Sequence, residues 1–358
     1  MNHPSDSKVM SQIEEQLKEA SSNVLSEINT HIANAPAPTP GTVPGKKNIK
    51  VFIVPGAQCM GKSWICSQLD SRKSKICSAD YHMHKDGKVF DYRRLSECHS
   101  KCAMDVYNSI INGTHSIVDN TNMRAQDISI YKLICDIMGC ELVIIPILPT
   151  LLLMSNELEQ LISVLVARSK NRQKETGQSL GLYPESVIRN TIENARKELA
   201  IFKFNTLSTD SKITQWFNSF PIPTRKQGLL IERSNTLLAR TSNINELFYN
   251  YTSGQSGLSK EELLLMDIKR GYGEHHVTLV GPDDFLKIPT SITSTLVGNI
   301  NEHPDLLGYT DPTPGKIETN TTCNGDTIVY MNLDWEWGRL IREKWGLEPK
   351  QFILTITE

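Results

Sequence analysis

The sequence predicts an α/β protein, with a parallel sheet covered by helices on both faces, followed by a smaller α+β domain. From Asn48 to about residue 205, short apolar runs alternate with helical stretches, the signature of parallel strands joined by right-handed crossovers. After about residue 210, short strand candidates mix instead with Gly- and Pro-containing loops. A length of 358 residues leaves room for two hydrophobic cores.

Residues 8–33 place Ile13, Leu17, Ala20, Val24, Ile28 and Ile32 at spacings of four and three. That pattern predicts an N-terminal helical unit, residues 1–33, which either flanks the core loosely or self-associates. The Pro- and Gly-rich stretch in 34–48 reads as a linker. In the first domain, residues 49–205, buried strands are expected at 49–55, 73–79, 115–119 and 141–148. Helices are expected near 62–70, 91–112, 124–138, 156–170 and 184–202, the last opening on Pro184. A second linker covers 206–225. The second domain, 226–358, offers strands at 228–232, 276–280, 327–333 and 351–357 and one clear helix, Trp335–Trp345.

Composition narrows the classes. Hydrophobic residues at 39% and charged residues at 22% exclude a wholly disordered chain. Lys and Arg total 38 against 40 acidic residues, a net charge of -2, which excludes a histone-like protein but leaves room for a local basic groove. Of the eight cysteines, seven fall between Cys59 and Cys140, several of them inside predicted helices or strands, and they read as thiols of a reducing compartment. The start lacks an apolar signal-peptide core and carries no Arg before Arg72. The apolar run from Leu142 to Met154 is short and cut by Pro146 and Pro149. A cytoplasmic protein with no membrane partner is expected, with the nucleus left open.

The strongest motif is Gly56-Ala57-Gln58-Cys59-Met60-Gly61-Lys62-Ser63, which matches G-x-x-x-x-G-K-[ST] between a strand and a helix that begins with Trp64. Glycines let successive backbone N–H groups turn inward around phosphate oxygens. Lys62 can reach the β- and γ-phosphates of ATP, and Ser63 can ligate Mg²⁺. Residues 56–64 are therefore the expected nucleotide contacts.

Two strand ends supply candidate chemistry. Cys77-Ser78-Ala79-Asp80 ends the second strand, where Asp80 can take a proton from a hydroxyl acceptor; an ordinary helix cap is the equal alternative. Val118-Asp119-Asn120-Thr121-Asn122 ends the third. There Asp119 can join the Mg²⁺ shell while Asn120 and Asn122 contact phosphate or acceptor, or the run is a polar turn. Arg168, Lys170, Arg172 and Lys174 follow a predicted helix. They form either a solvated basic end or a lid whose arginine neutralises the transferring phosphoryl group.

In this order, GAQCMGKS, SADYH, FDYRRLSECHSKC, IVDNTNM and the basic lid resemble the polynucleotide-kinase-like branch of P-loop kinases. The resemblance covers roughly 49–205. It implies transfer of the ATP γ-phosphate to the 5′-hydroxyl of RNA or DNA, with Asp80 as general base, Lys62 and Ser63 on ATP and Mg²⁺, and Arg172 or Arg168 as the lid arginine. His99 falls where the family often has a histidine. Cys98, His99 and Cys102 match no paired zinc spacing; Cys98 and Cys102, four apart, are expected on one buried helix face.

His276-Val277-Thr278 puts an imidazole and a hydroxyl on one face of a strand. The tail, from Trp337 through Gly346-Leu347-Glu348-Pro349 to Phe352-Ile353-Leu354-Thr355, is similar to the end of 2H phosphoesterase domains. Such domains open 2′,3′-cyclic phosphates with two histidines. Swiss-army-knife RNA-repair proteins and the kinase–phosphodiesterase part of fungal tRNA ligase join both activities. Here Ile353 stands where the second histidine belongs and cannot transfer a proton. Losing one member of an acid–base pair costs about 10²–10⁴ in rate. His303 and His275 are the available substitutes. The expectation is a degenerate, 2H-phosphoesterase-like domain in which His276, Thr278 and Thr355 still bind an RNA end. Two alternatives stay open: an ATP-gated RNA-end binding protein and a small-metabolite kinase.

Overall fold

Strand β1 (Lys50–Ile53) is the axis of the first unit. Its Val51, Phe52 and Ile53 are fully buried, as a strand covered on both faces requires. β3 (His115–Val118) and β4 (Glu141–Ile144) flank it, and β2 (Ser74–Cys77) pairs with β3, giving the all-parallel order β2-β3-β1-β4. This computed structural model describes residues 4–35, 48–84, 91–147, 157–176, 183–201, 229–232, 236–240, 244–269, 275–288, 308–321 and 327–357. The chain divides into two units, Met1–Ile222 and Pro223–Glu358. Most of the proposed 34–48 linker, the 206–225 linker and His303 lie outside the described residues.

Helices fill the crossovers: α2 (Lys62–Ser67) after β1, α3 (Ala79–His84) and α4 (Leu95–Ile111) after β2, and α5 (Ala125–Met138) after β3. The chain leaves β1 towards β2 on one side and leaves β3 towards β4 on the other. The carboxyl ends of β1 and β3 therefore border the crevice where such sheets receive ligands.

α1 (Pro4–Ala33) buries Ile13, Leu17, Ala20, Val24 and Ile28. It packs against α2 and α6 (Leu158–Thr176). Burial of each large aliphatic contributes about 1.5–3 kcal/mol. A separate helix, loose or self-associating, is thereby corrected, because its apolar stripe is spent inside the first unit. The helix expected over 156–170 also changes. α6 runs on to Thr176, since the polar residues after 170 tolerate helix and the first breaker in the sequence is Gly177. Arg168 and Arg172 thus lie one turn apart within the helix, not beyond it. α7 (Glu185–Ile201) follows.

The second unit holds two antiparallel three-stranded sheets among its described residues. One is β5 (Leu229–Glu232), β6 (Leu237–Arg240) and β7 (Val277–Val280); the other is β8 (Thr313–Thr321), β9 (Thr327–Asp334) and β10 (Phe352–Thr357). β6, β8, α8 (Lys260–Lys269) and the helical turns over 244–256 had no counterpart in the sequence reading. β8 is an edge strand, mostly solvent-facing, so its sequence TPGKIETNT carries no apolar alternation.

α9 (Glu336–Lys344) closes the unit. Gly338 is obligatory there, because a Cβ would lie 2.5 Å from the Trp335 ring and 2.9 Å from Phe352. Buried Arg342 donates to the carbonyls of Leu279 and Glu348 and, at 2.8 Å, to Asp284. Arg342, and after it Lys287, hold the Asp284 carboxyl down at about 2. Because the folded value is depressed, the carboxylate stabilises the fold above the ordinary aspartate range, and the contribution is lost as pH falls through about 2. Asp284→Asn is expected to lower the melting temperature at pH 7, with the gap to wild type closing in acid. A pH-independent gap in thermal melts would contradict this.

Candidate functional site

A cavity of about 890 Å³ opens at the carboxyl ends of β1 and β3. From the Gly56–Ser63 loop, Gln58, Cys59, Gly61, Lys62 and Ser63 line it, whereas Gly56, Ala57 and Met60 do not. Two of the loop's residues have left-handed backbones, Cys59 at φ 65 and Gly61 at φ 108. Glycine is required at 61 twice over: a side chain resists that φ, and a Cβ would sit 2.7 Å from the Ser21 hydroxyl of α1. Inside the loop, the Lys62 ammonium donates to the carbonyls of Gly56 and Ala57, both at 2.8 Å. Burial lowers the Lys62 pKa, and the Asp119 carboxylate opposes that shift.

Asp119 leaves β3 beside this ammonium and accepts a hydrogen bond from Ser63. Burial raises its pKa and Lys62 offsets part of the rise. A serine hydroxyl with one carboxylate is the hard-oxygen pair that Mg²⁺ takes from a protein when phosphate and water complete its shell. Ser63 and Asp119 therefore fit that ion. Trp64, the last of the expected nucleotide contacts, also lines the cavity and is half exposed.

Asp80, second residue of α3, lines the opposite wall with His84, Leu95 and His99. Its Oδ2 accepts a 2.9 Å hydrogen bond from the Tyr183 hydroxyl, just ahead of α7. Burial first, and the Asp80 charge second, push the Tyr183 pKa up, so the phenol keeps its proton and donates. Tyr183 was missed as a site residue; its only signal was that it precedes Pro184. Burial also lowers the His99 pKa, favouring neutral imidazole.

The two asparagines behave differently from the expected ligands. Buried Asn120 accepts from the Ala79 N–H at 3.0 Å and donates to the Tyr131 hydroxyl and the Cys102 sulfur. Its amide is occupied in pinning the first turn of α3, next to Asp80. Asn122 is buried with a left-handed backbone at φ 46, and it does not line the cavity with Asn120. Cys98 and Cys102 are both fully buried.

On α6, Arg168 and Arg172 both line the cavity. Arg168 bonds Glu14 of α1 at 2.9 and 2.5 Å and donates to the Cys59 carbonyl at 3.3 Å. The charge of Arg172 acts on Asp119, Tyr183 and Cys59.

No family model and no curated protein matches this chain.

In the second unit, His276 is exposed just before β7, and Thr278 is half-buried within it. His275 turns the other way, buried and stacked on Phe248 with centroids 3.8 Å apart. Its Nε2 lies 3.4 Å from Asp267, whose carboxylate accepts a hydrogen bond from Tyr249. His275 is therefore a core residue and no stand-in for the histidine missing at 353. Ile353 is 39% exposed in a groove with Lys316, Glu318, Asn320, Tyr330, Asn332 and Gln351. His276, Thr278 and Thr355 do not line that groove. No helix among the described residues is long and apolar enough to cross a membrane.

Asn120→Ala strips a buried partner from Ala79, Tyr131 and Cys102. A loss of about 1–3 kcal/mol in unfolding free energy is expected by denaturant titration. An unchanged midpoint would mean the amide does not hold α3.

Proposed function

We propose that the chain is an ATP-dependent kinase that moves the γ-phosphate to the 5′-hydroxyl of a polynucleotide, RNA above DNA. The observation that carries this reading is the meeting in one cavity of Lys62, the Ser63–Asp119 pair, Asp80 and Arg172. Phosphoryl transfer needs these parts: a cation for the phosphates, hard oxygens for Mg²⁺, a base for the acceptor and a charge for the equatorial oxygens. The polynucleotide acceptor rests on the resemblance of the SADYH and IVDNTNM elements and on the 2H-like tail.

Asp80 accepts the proton of the acceptor hydroxyl as its oxygen bonds to the γ-phosphorus. The bond from that phosphorus to the β,γ-bridging oxygen breaks, and ADP leaves. Tyr183 fixes Oδ2 of Asp80 and leaves Oδ1 for the acceptor. Lys62 exchanges the Gly56 and Ala57 carbonyls for phosphate oxygens, and Arg172 neutralises charge on the group in flight. Mg²⁺, when bound by Ser63 and Asp119, supplies further positive charge to the phosphates. The second unit serves as a degenerate RNA-end module, since Ile353 carries no transferable proton.

Lys62→Ala and Asp80→Asn separate the roles. Lys62→Ala is expected to weaken ATP binding and abolish transfer. Asp80→Asn is expected to keep ATP affinity and lose about 10²–10⁴ in the transfer rate to a 5′-hydroxyl oligoribonucleotide. Transfer persisting in Asp80→Asn would remove Asp80 as the base.

A further inference from the structure

The Gly56–Ser63 loop is held from outside as well as from within. The Ser21 hydroxyl of α1, which donates to the Leu17 carbonyl at 2.8 Å, lies 3.4 Å from the Met60 carbonyl, and its oxygen occupies the space a Cβ at Gly61 would need. Gln58 donates to Thr191 of α7 at 3.1 Å. The Cys59 thiol is hydrogen-bonded with Ser169 of α6. Between Ser169 and α1 stands Arg168, which spans two acceptors: the Glu14 carboxylate through Nε and Nη2, and the Cys59 carbonyl through Nη1. Cys59 is the loop's left-handed residue that is not glycine, the place where the backbone has most need of outside support.

We propose that Glu14 of the N-terminal helix is a positioning residue for the nucleotide loop, acting through Arg168 on the Cys59 carbonyl. This rests on the kinase reading and deepens it. The sequence left Arg168 and Arg172 as equal candidates for the lid arginine, and the geometry divides them. Arg168 is a bridge whose guanidinium is committed to Glu14 and the loop. Arg172, one turn further along α6, also lines the cavity and keeps the role proposed for it above. Glu14 carries the pair because a guanidinium left without its carboxylate, at only 21% exposure, has no reason to hold one rotamer over the loop. α1 is then part of the ATP site although it contributes no ligand to it.

The test measures the dissociation constant for Mg-ATP by calorimetry on the full chain, beside hydrogen exchange of the 58–61 amides and the melting temperature. Glu14→Gln is expected to weaken ATP about tenfold, the scale of one charge-assisted hydrogen bond, and to speed exchange in the loop. The reversed pair, Glu14→Arg with Arg168→Glu, discriminates the mechanism. It restores the contact between α1 and α6 but presents a carboxylate, which cannot donate, to the Cys59 carbonyl. Recovery of the melting temperature without recovery of ATP affinity supports the proposal. Wild-type affinity in the reversed pair, or in Glu14→Gln, overturns it and leaves Glu14 a structural staple. Should the reversed pair fail to fold, Arg168→Lys decides. A single ammonium cannot span both acceptors, so its ATP affinity must fall; unchanged affinity again overturns the proposal. Failure of the wild-type chain to bind ATP would instead defeat the kinase reading on which the proposal rests.

Discussion

The first unit is organised around a loop that would not hold its shape alone. Between β1 and α2 the backbone passes through two left-handed residues, and a non-glycine in that region costs about 1–3 kcal/mol. Cys59 bears that cost. The Lys62 ammonium on the Gly56 and Ala57 carbonyls, and Arg168 on the Cys59 carbonyl, are hydrogen bonds with a charged partner, each worth about 1.5–3 kcal/mol. Two or three such bonds exceed the strain. The loop's shape is therefore held by its own Lys62 and by Arg168 of α6, with Glu14 of α1 behind that arginine and Thr191 of α7 on Gln58.

A second layer serves the opposite wall. Asp80 sits on a helix of six residues, too short to be stable by propensity. Asn120 fixes its first turn, and His82 ties it to Asp105 of α4 at 2.7 Å, where Lys75 of β2 also reaches the carboxylate. Tyr183 then fixes the carboxylate itself. β3 thus supports both halves of the cavity, Asp119 facing the loop and Asn120 facing α3. One residue step past the strand end turns the polar group from the Ser63 hydroxyl to the first turn of α3.

That step explains what was legible in the sequence. The turn between β1 and α2 could be read from its glycines, and Gly61 does adopt the left-handed backbone that favours glycine. The four parallel strands could be read from their apolar runs, though each is shorter than its run. Asn120 could not be assigned, since the letters DNTN do not say which amide points inward. Tyr183 lies 103 positions from Asp80, and no local pattern marks such a pair. The stripe on α1 was visible, but not the surface it covers. In the second unit β8 escaped notice because an edge strand with solvent on its side chains needs no hydrophobic period. Ile353 lies in an exposed groove lined mostly by polar residues, and His276 is not among them.

The most direct test of the account supplies the full-length protein with γ-labelled ATP, Mg²⁺ and two oligoribonucleotides of one sequence, one ending in a 5′-hydroxyl and one in a 5′-phosphate. The account predicts label on the 5′-hydroxyl RNA alone. Equal labelling of both, or ATP bound with label on neither, would contradict it.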